Sequence, residues 1–249
     1  MNSTEKTAAL LKLLGQSPYV HSVTELGEKI GCSKSGTFKI LAVLMQSGLV
    51  SQTSEHKYIL WSVTYILGKT YEEHIGLSKM VKPYLERLTE LTGENASFSM
   101  LINGKANLIY REESRRQVRV VGQVGEERPL YAGATGKVLG AFQDEEVIHR
   151  RLMEQPLIPF TEKTITSPKE LLDEYEKIRS QGYAISNGEL NIETVGIGAP
   201  IRDSSGNVWA AISIGAPRMR IDEIKIQRYI FLIQETAEQM TRDILHEQP

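Results

Sequence analysis

The stretch Ser33-Lys34-Ser35-Gly36-Thr37-Phe38-Lys39 gathers groups that suit a phosphate backbone: hydroxyls that donate, ammonium groups that displace counterions, and a glycine that permits close approach. That chemistry is recognition, not bond making, and it works only if the polar groups share one face of a helix. On a helix, Phe38, Leu41, Leu44 and Met45 form the apolar side, and Lys34, Ser35, Thr37 and Lys39 fall away from it. A second stretch, Gly133-Ala134-Thr135-Gly136-Lys137, has the residue types of a phosphate loop without its spacing. Two residues separate its glycines where the loop needs four, and Val138 stands where a Ser or Thr is required. No His-Glu-x-x-His pair, Gly-x-Ser-x-Gly elbow or dinucleotide-binding glycine fingerprint occurs. The histidines are scattered and Cys32 is the single cysteine, so neither a catalytic set, a metal site nor a cofactor is expected. Glu112-Glu113 and Asp144-Glu145-Glu146 read as solvated faces or helix N-termini.

The elements that must position the first stretch lie around it. Residues 4–16 predict a helix with Ala9, Leu10, Leu13 and Leu14 on one side. Ser22-Val23-Thr24-Glu25 fits a capping box, opening a second helix with Leu26 and Ile30 inward. Gly31 supplies a tight turn and Ser33 an N-cap for the third helix, which Gly48 closes. Leu49–Ser51 and Lys57–Leu60 then read as a β-hairpin around the polar turn Gln52–His56. Helix, helix, turn, helix, hairpin is a winged helix-turn-helix over residues 1–61, in which the third helix enters the major groove. Thr24, Ser33, Lys34, Ser35, Thr37 and Lys39, with His56 and Lys57 on the wing, are the candidate DNA contacts. His21 and His56 read as surface residues.

Residues 62–75 predict a linker helix, and 76–249 a larger α+β domain. The helical pattern from Ser62 to Thr92 should break near Gly76 and Pro83, with Met80, Leu85, Leu88 and Leu91 as the later apolar stripe. Ala96–Ile102 and Ala106–Glu112 predict strands joined at the favoured hairpin pair Asn103-Gly104, and Val118–Val121 a further strand. Helices are expected at 133–142, 144–154 and 168–181, the last entered through Ser167 and Pro168. Val195–Ile201 and Val208–Ile214 predict strands, and a closing helix over 221–246 buries Ile226, Ile230, Ile233, Ala237, Met240 and Ile244.

Composition is compatible with this and decides little. The chain has 249 residues, 41% hydrophobic and 24% charged, enough for two cores. The first 60 residues hold six lysines against four glutamates, a net +2, which leaves −4 for the rest of a chain totalling −2. That asymmetry permits a nucleic-acid partner without demanding one. No apolar run reaches membrane-span length and the N-terminus lacks a secretory layout, so the expected compartment is the cytoplasm, with no membrane partner.

Four ordered blocks beyond the N-terminus carry a family likeness. They are Glu127-Arg128-Pro129-Leu130-Tyr131-Ala132 with Gly136-Lys137-Val138-Leu139; Ile178-Arg179-Ser180-Gln181-Gly182-Tyr183-Ala184; Ile197-Gly198-Ala199-Pro200-Ile201-Arg202-Asp203; and Ala210-Ala211-Ile212-Ser213-Ile214-Gly215-Ala216-Pro217. With Thr24–Ile30, Ser33–Ser35, Leu41–Leu44 and Gly48–Val50, they make the sequence resemble the IclR family of bacterial transcriptional regulators. The resemblance implies a GAF-like effector-binding domain with a mainly antiparallel sheet, a pocket for a small organic acid or related metabolite, and a homodimer or homotetramer acting on double-stranded operator DNA. It also implies a regulator, with repression the expected output. Carried over, the effector-binding positions are Ala134, Thr135, Ser186, Gly196, Ser213 and Gly215. Some family members that bind small carboxylates carry an acidic residue, Cys and Ser where this chain has Ser186, Gly196 and Gly215. These departures predict a larger or differently shaped effector, anchored by Thr135, Ser213 and backbone amides. Glu193 and Trp61 replace usual glycines, and Lys39 stands where Arg is common, losing the bidentate fork to guanine. A ligand-sensing scaffold whose winged helix binds protein is the alternative reading, with a metabolic enzyme behind it.

Overall fold

The computed structural model describes residues 1–247, and the chain forms two compact units, Met1–Leu77 and Ser78–Pro249. In the first, α1 (Ser3–Leu14), α2 (Val23–Lys29) and α3 (Lys34–Gln46) precede a short antiparallel hairpin of β1 (Val50–Gln52) and β2 (Tyr58–Leu60), then α4 (Ser62–Ile75). Asn2 and Ser22 each form a reciprocal capping box, with Glu5 and Glu25 respectively, which fixes where α1 and α2 begin. Leu10, Leu14, Leu26, Ile30, Leu41, Leu44, Val50 and Tyr58 close one core.

The buried side of α3 differs from the expected one. Thr37, Ile40, Leu41 and Leu44 face inward, while Phe38 and Met45 are exposed. Gly27 is the reason: a Cβ there would lie 2.9 Å from the Cys32 carbonyl and 3.0 Å from Thr37 Oγ1, so only glycine lets α2 and α3 close over Thr37. The Thr37 hydroxyl donates to the Ser33 carbonyl of its own helix at 3.0 Å and so needs no outside partner. His21 is likewise buried, not on the surface, bridging backbone to backbone with Tyr58 at the base of the hairpin. Trp61 has extended backbone at the start of α4, and Glu193 has no positive φ, so neither position requires the glycine it replaces.

In the second unit α5 (Leu77–Thr92) runs through Pro83 without breaking, because the proline is on the exposed side and Val81, Leu85 and Leu88 bury the other. Leu91, expected in that stripe, is exposed. The sheet comprises β3 (Asn95–Ile102), β4 (Lys105–Glu112), β5 (Glu127–Arg128), β6 (Ala184–Asn187), β7 (Thr194–Arg202) and β8 (Val208–Pro217). Its order is β5-β4-β3-β8-β7-β6, antiparallel throughout. Val118–Val121 is not a strand. Its backbone is irregular and its carbonyls go to side chains, Val118 O to Arg220 and Val120 O to Asn95 at 2.5 Å, leaving no ladder to join.

Three helices intervene: α6 (Ala134–Ala141), α7 (Glu145–Glu154) and α8 (Pro168–Gln181). A core of Leu130, Val138, Leu139, Ile148, Leu171, Tyr175 and Ile178 joins them to the sheet. The closing helix α9 (Glu223–Glu247) packs on β7 and β8 through Ile230, Ile233, Ala237 and Met240; Ile226 is half-buried, and the Ile244 side chain lies outside the described residues. The fold is α+β, with a helix-turn-helix ahead of an antiparallel-sheet domain. No described helix is long and apolar enough to cross a membrane.

Candidate functional site

Two sites follow, one in each unit. On α3, Lys34, Ser35 and Lys39 are exposed, and neither lysine forms an ion pair among the described residues. Thr24, from α2, lines a shallow depression with Ser33 and Lys34, so residues from both helices of the helix-turn-helix share one surface. The Ser33 hydroxyl is committed to capping, accepting from the Gly36 amide at 3.2 Å. Thr37, expected on this face, is fully buried and cannot reach DNA. Phe38 takes its place, 44% exposed between Lys34 and Lys39. On the wing, His56 holds a left-handed φ of 60° at the turn, and Lys57 pairs with Glu55 at 3.1 Å, which offsets its charge.

In the second unit the glycine-rich stretch builds a close approach. Every residue of α6 is buried. A Cβ at Gly136 would sit 2.2 Å from the Pro129 carbonyl, and one at Gly140 2.2 Å from the Tyr175 hydroxyl. Lys137, 1% exposed, donates to Glu174 (2.7 Å), Glu189 (2.6 Å) and the Ile185 carbonyl (2.7 Å). The other Glu189 oxygen accepts from the Gly133 amide at 3.1 Å. Lys137 therefore locks the start of α6 to the 185–189 segment, and its ammonium is not free for a phosphate.

That lock aims the first turn of α6 into a cavity of about 590 Å³, lined by all six expected positions: Ala134, Thr135, Ser186, Gly196, Ser213 and Gly215. Sheet register explains the convergence. Ser186, Gly196, Gly215 and Asn95 form one cross-strand row, and Gly198, Ser213, Ser97 and Arg111 another. Gly196 and Gly198 form the floor: a Cβ on either would come within 3.3 Å of Ala134 Cβ, so glycine here lets α6 settle directly on β7. Over Gly215 lies the Val120 side chain, 3.8–4.0 Å from where a Cβ would be. The hydroxyls of Ser97, Ser99, Thr135, Ser186 and Ser213 face this space, and none bonds to another described residue. The amides of Ala134 and Thr135 begin a helix and lack intrahelical acceptors. The cavity is thus rich in donors for an anionic or hydroxylated guest.

Asn95, Ser97, Ser99 and above all Arg111 are missed by sequence reasoning. From the Asn103-Gly104 turn, an unbroken hairpin would pair Ser97 with Tyr110. A bulge between Phe98 and Ser99 advances the register by one and sets Arg111 there instead. Once that shift is known, a polar side chain on the inward face of β4 is the signal. Burial lowers the Arg111 pKa, since the cavity wall penalises its charge.

Two family profiles match the chain: residues 3–54 fit the IclR helix-turn-helix domain, and residues 69–242 the bacterial transcriptional regulator IclR C-terminal domain. The chain is 29% identical over 251 residues to the HTH-type transcriptional regulator KdgR of Escherichia coli (strain K12), covering 100% of this chain and 95% of that protein. It is 28% identical to the HTH-type transcriptional repressor AllR of the same strain, over 94% of this chain and 86% of that one. Among solved structures, an IclR homologue from Microbacterium hydrocarbonoxydans, complexed with 4-hydroxybenzoate, shares the fold with a TM-score of 0.82 at 20% identity, over 97% of this chain and 98% of that chain.

Proposed function

Since the chain belongs to the IclR family of bacterial transcriptional regulators, we propose that it is an effector-gated repressor: α3 contacts operator DNA, and the glycine-floored cavity binds a small organic acid that alters that contact. One observation carries the effector half. Five unbonded hydroxyls and two free helix-terminal amides converge on one cavity. A packed core would not tolerate so many unmet donors, whereas an acid or hydroxy acid satisfies them. The fold neighbour bound to 4-hydroxybenzoate supports a carboxylate guest, and the relative named a repressor supports the direction of control.

On the DNA side the contacting set is Thr24, Lys34, Ser35, Phe38 and Lys39, with His56 and Lys57 at the rim and Ser33 acting through its cap. A homodimer is proposed because half-site reading needs paired recognition helices. Exposed Tyr65, Ile66, Leu67 and Tyr71 on α4 suit burial against a second copy. The test is fluorescence anisotropy on DNA from upstream of the protein's own gene, across a salt series and a panel of organic acids. Affinity should fall steeply with salt, and at least one acid should shift it. Salt-independent binding, or none, would favour a protein partner for the winged helix and overturn the proposal.

A further inference from the structure

Arg111 is the cavity charge that the effector reading alone does not explain. Its neighbours there are already matched: Arg128 pairs with Glu126 at 3.2 Å and Arg119 with Glu113 at 3.1 Å. Arg111 forms no ion pair among the described residues; Glu113 and Glu126, already paired with Arg119 and Arg128, act on its charge only from farther away. One of its terminal nitrogens donates to the Val120 carbonyl, and its buried Nε has no partner. A guanidinium presents five donors in a fixed fork and cannot shed its proton to escape burial, so unmet donors in a cavity wall invite a planar anion.

Its position defines what that anion belongs to. Arg111 pairs with Ser97, Ser97 with Ser213, and Ser213 with Gly198, on which the start of α6 rests. Three strand spacings, about 14 Å, thus separate the Arg111 backbone from the floor beneath Ala134, and an extended arginine spans roughly half of that. At the far pole stand the Ala134 and Thr135 amides, with the Thr135 and Ser186 hydroxyls, 4% and 6% exposed and unbonded. The two poles cannot both be met by a one- or two-carbon acid.

We infer that the effector carries two acidic groups, one at the α6 N-terminus and the other on Arg111, joined by a short chain along the Ser213 row. This rests on the cavity being the effector site. Its second acid replaces the Val120 carbonyl on Arg111, which ties ligand binding to the segment that covers the cavity.

The experiment is isothermal titration of the full-length protein with matched pairs, succinate against butyrate, glutarate against pentanoate and adipate against hexanoate. Within at least one pair the diacid should bind about tenfold or more tighter, the effect of a charge-assisted bidentate contact. Arg111→Gln should abolish that preference while leaving monoacid affinity within about threefold. Arg111→Lys should restore part of it, keeping charge without the fork. Equal affinities within every pair for the wild type, or a preference that survives in Arg111→Gln, would overturn the two-acid inference while leaving an acid-binding cavity standing. If neither class binds at all, both readings fall. The wild-type ratio decides the matter even if a variant does not fold.

Discussion

A lysine on the exposed face of α3 and a threonine one turn inside it are close in sequence and opposite in role. On the proposal that Lys34 and Lys39 release counterions from DNA, Lys34→Ala or Lys39→Ala should each flatten the slope of log K against log salt by about one unit. Thr37→Val should leave that slope unchanged. It removes a buried hydroxyl bonded only within its own helix, so its effect belongs in thermal unfolding instead. Phe38 sits between the lysines as the exposed apolar group, and apolar side chains read the thymine methyl in the major groove. Phe38→Ala should therefore cost about 1 kcal/mol on thymine-containing half-sites, the scale of one buried methyl, and little where thymine is replaced by deoxyuridine. Equal losses on both operators would mean that the ring does not read the methyl. The apolar spacing of α3 left this face ambiguous, since a helix shift of one residue exchanges Thr37 for Phe38. The contact at Gly27 that settles it is tertiary and has no local signature.

At the scale of elements, caps and hairpins were legible because their partners lie three or four residues away. The Ser22–Glu25 box is an example, and it has a pH signature. The Ser22 backbone amide, donating at 2.7 Å, and after it the Ser22 side chain hold the Glu25 carboxyl below its usual range. A depressed folded pKa contributes stability that is present above the unfolded value and lost as pH falls through the folded one. The wild type should thus lose an advantage over Glu25→Gln only on the acid side of the ordinary carboxylate pKa, read as converging urea midpoints. A gap that persists unchanged into acid would exclude the ionised cap. The bulge in β4 and the irregular Val118–Val121 segment were illegible for the converse reason: an extra residue in a ladder has no local signature, and Asn95 and Arg220, which hold Val120 and Val118, lie 25 and 102 residues away. The lock on α6 is of the same long-range kind. Lys137→Ala strands Glu189 as a buried carboxylate, and should destabilise the Ser78–Pro249 unit by about 3–5 kcal/mol in chemical denaturation. A loss under 1 kcal/mol would show that water reaches the cluster.

At the scale of the molecule, a sensor cavity matters only if occupancy changes operator affinity, and thermodynamics constrains how. The covalent route between the two units runs through α4, Gly76 in the left-handed region at φ 66°, and α5. Whatever states that route couples, the coupling free energy is one number. If an acid weakens operator binding by a factor within the usual range of about 5–150, saturating operator must weaken the acid by the same factor. The check is a pair of titrations of one diacid, into free protein and into protein saturated with operator. Set beside the anisotropy shift that the diacid causes, equal factors place its effect in the one cavity. A larger loss of operator affinity than of acid affinity would require a second acid site or direct competition for the α3 lysines. Arg111→Gln separates those two, because it should reduce a cavity-borne effect of the diacid to that of the matched monoacid while leaving competition at Lys34 and Lys39 untouched.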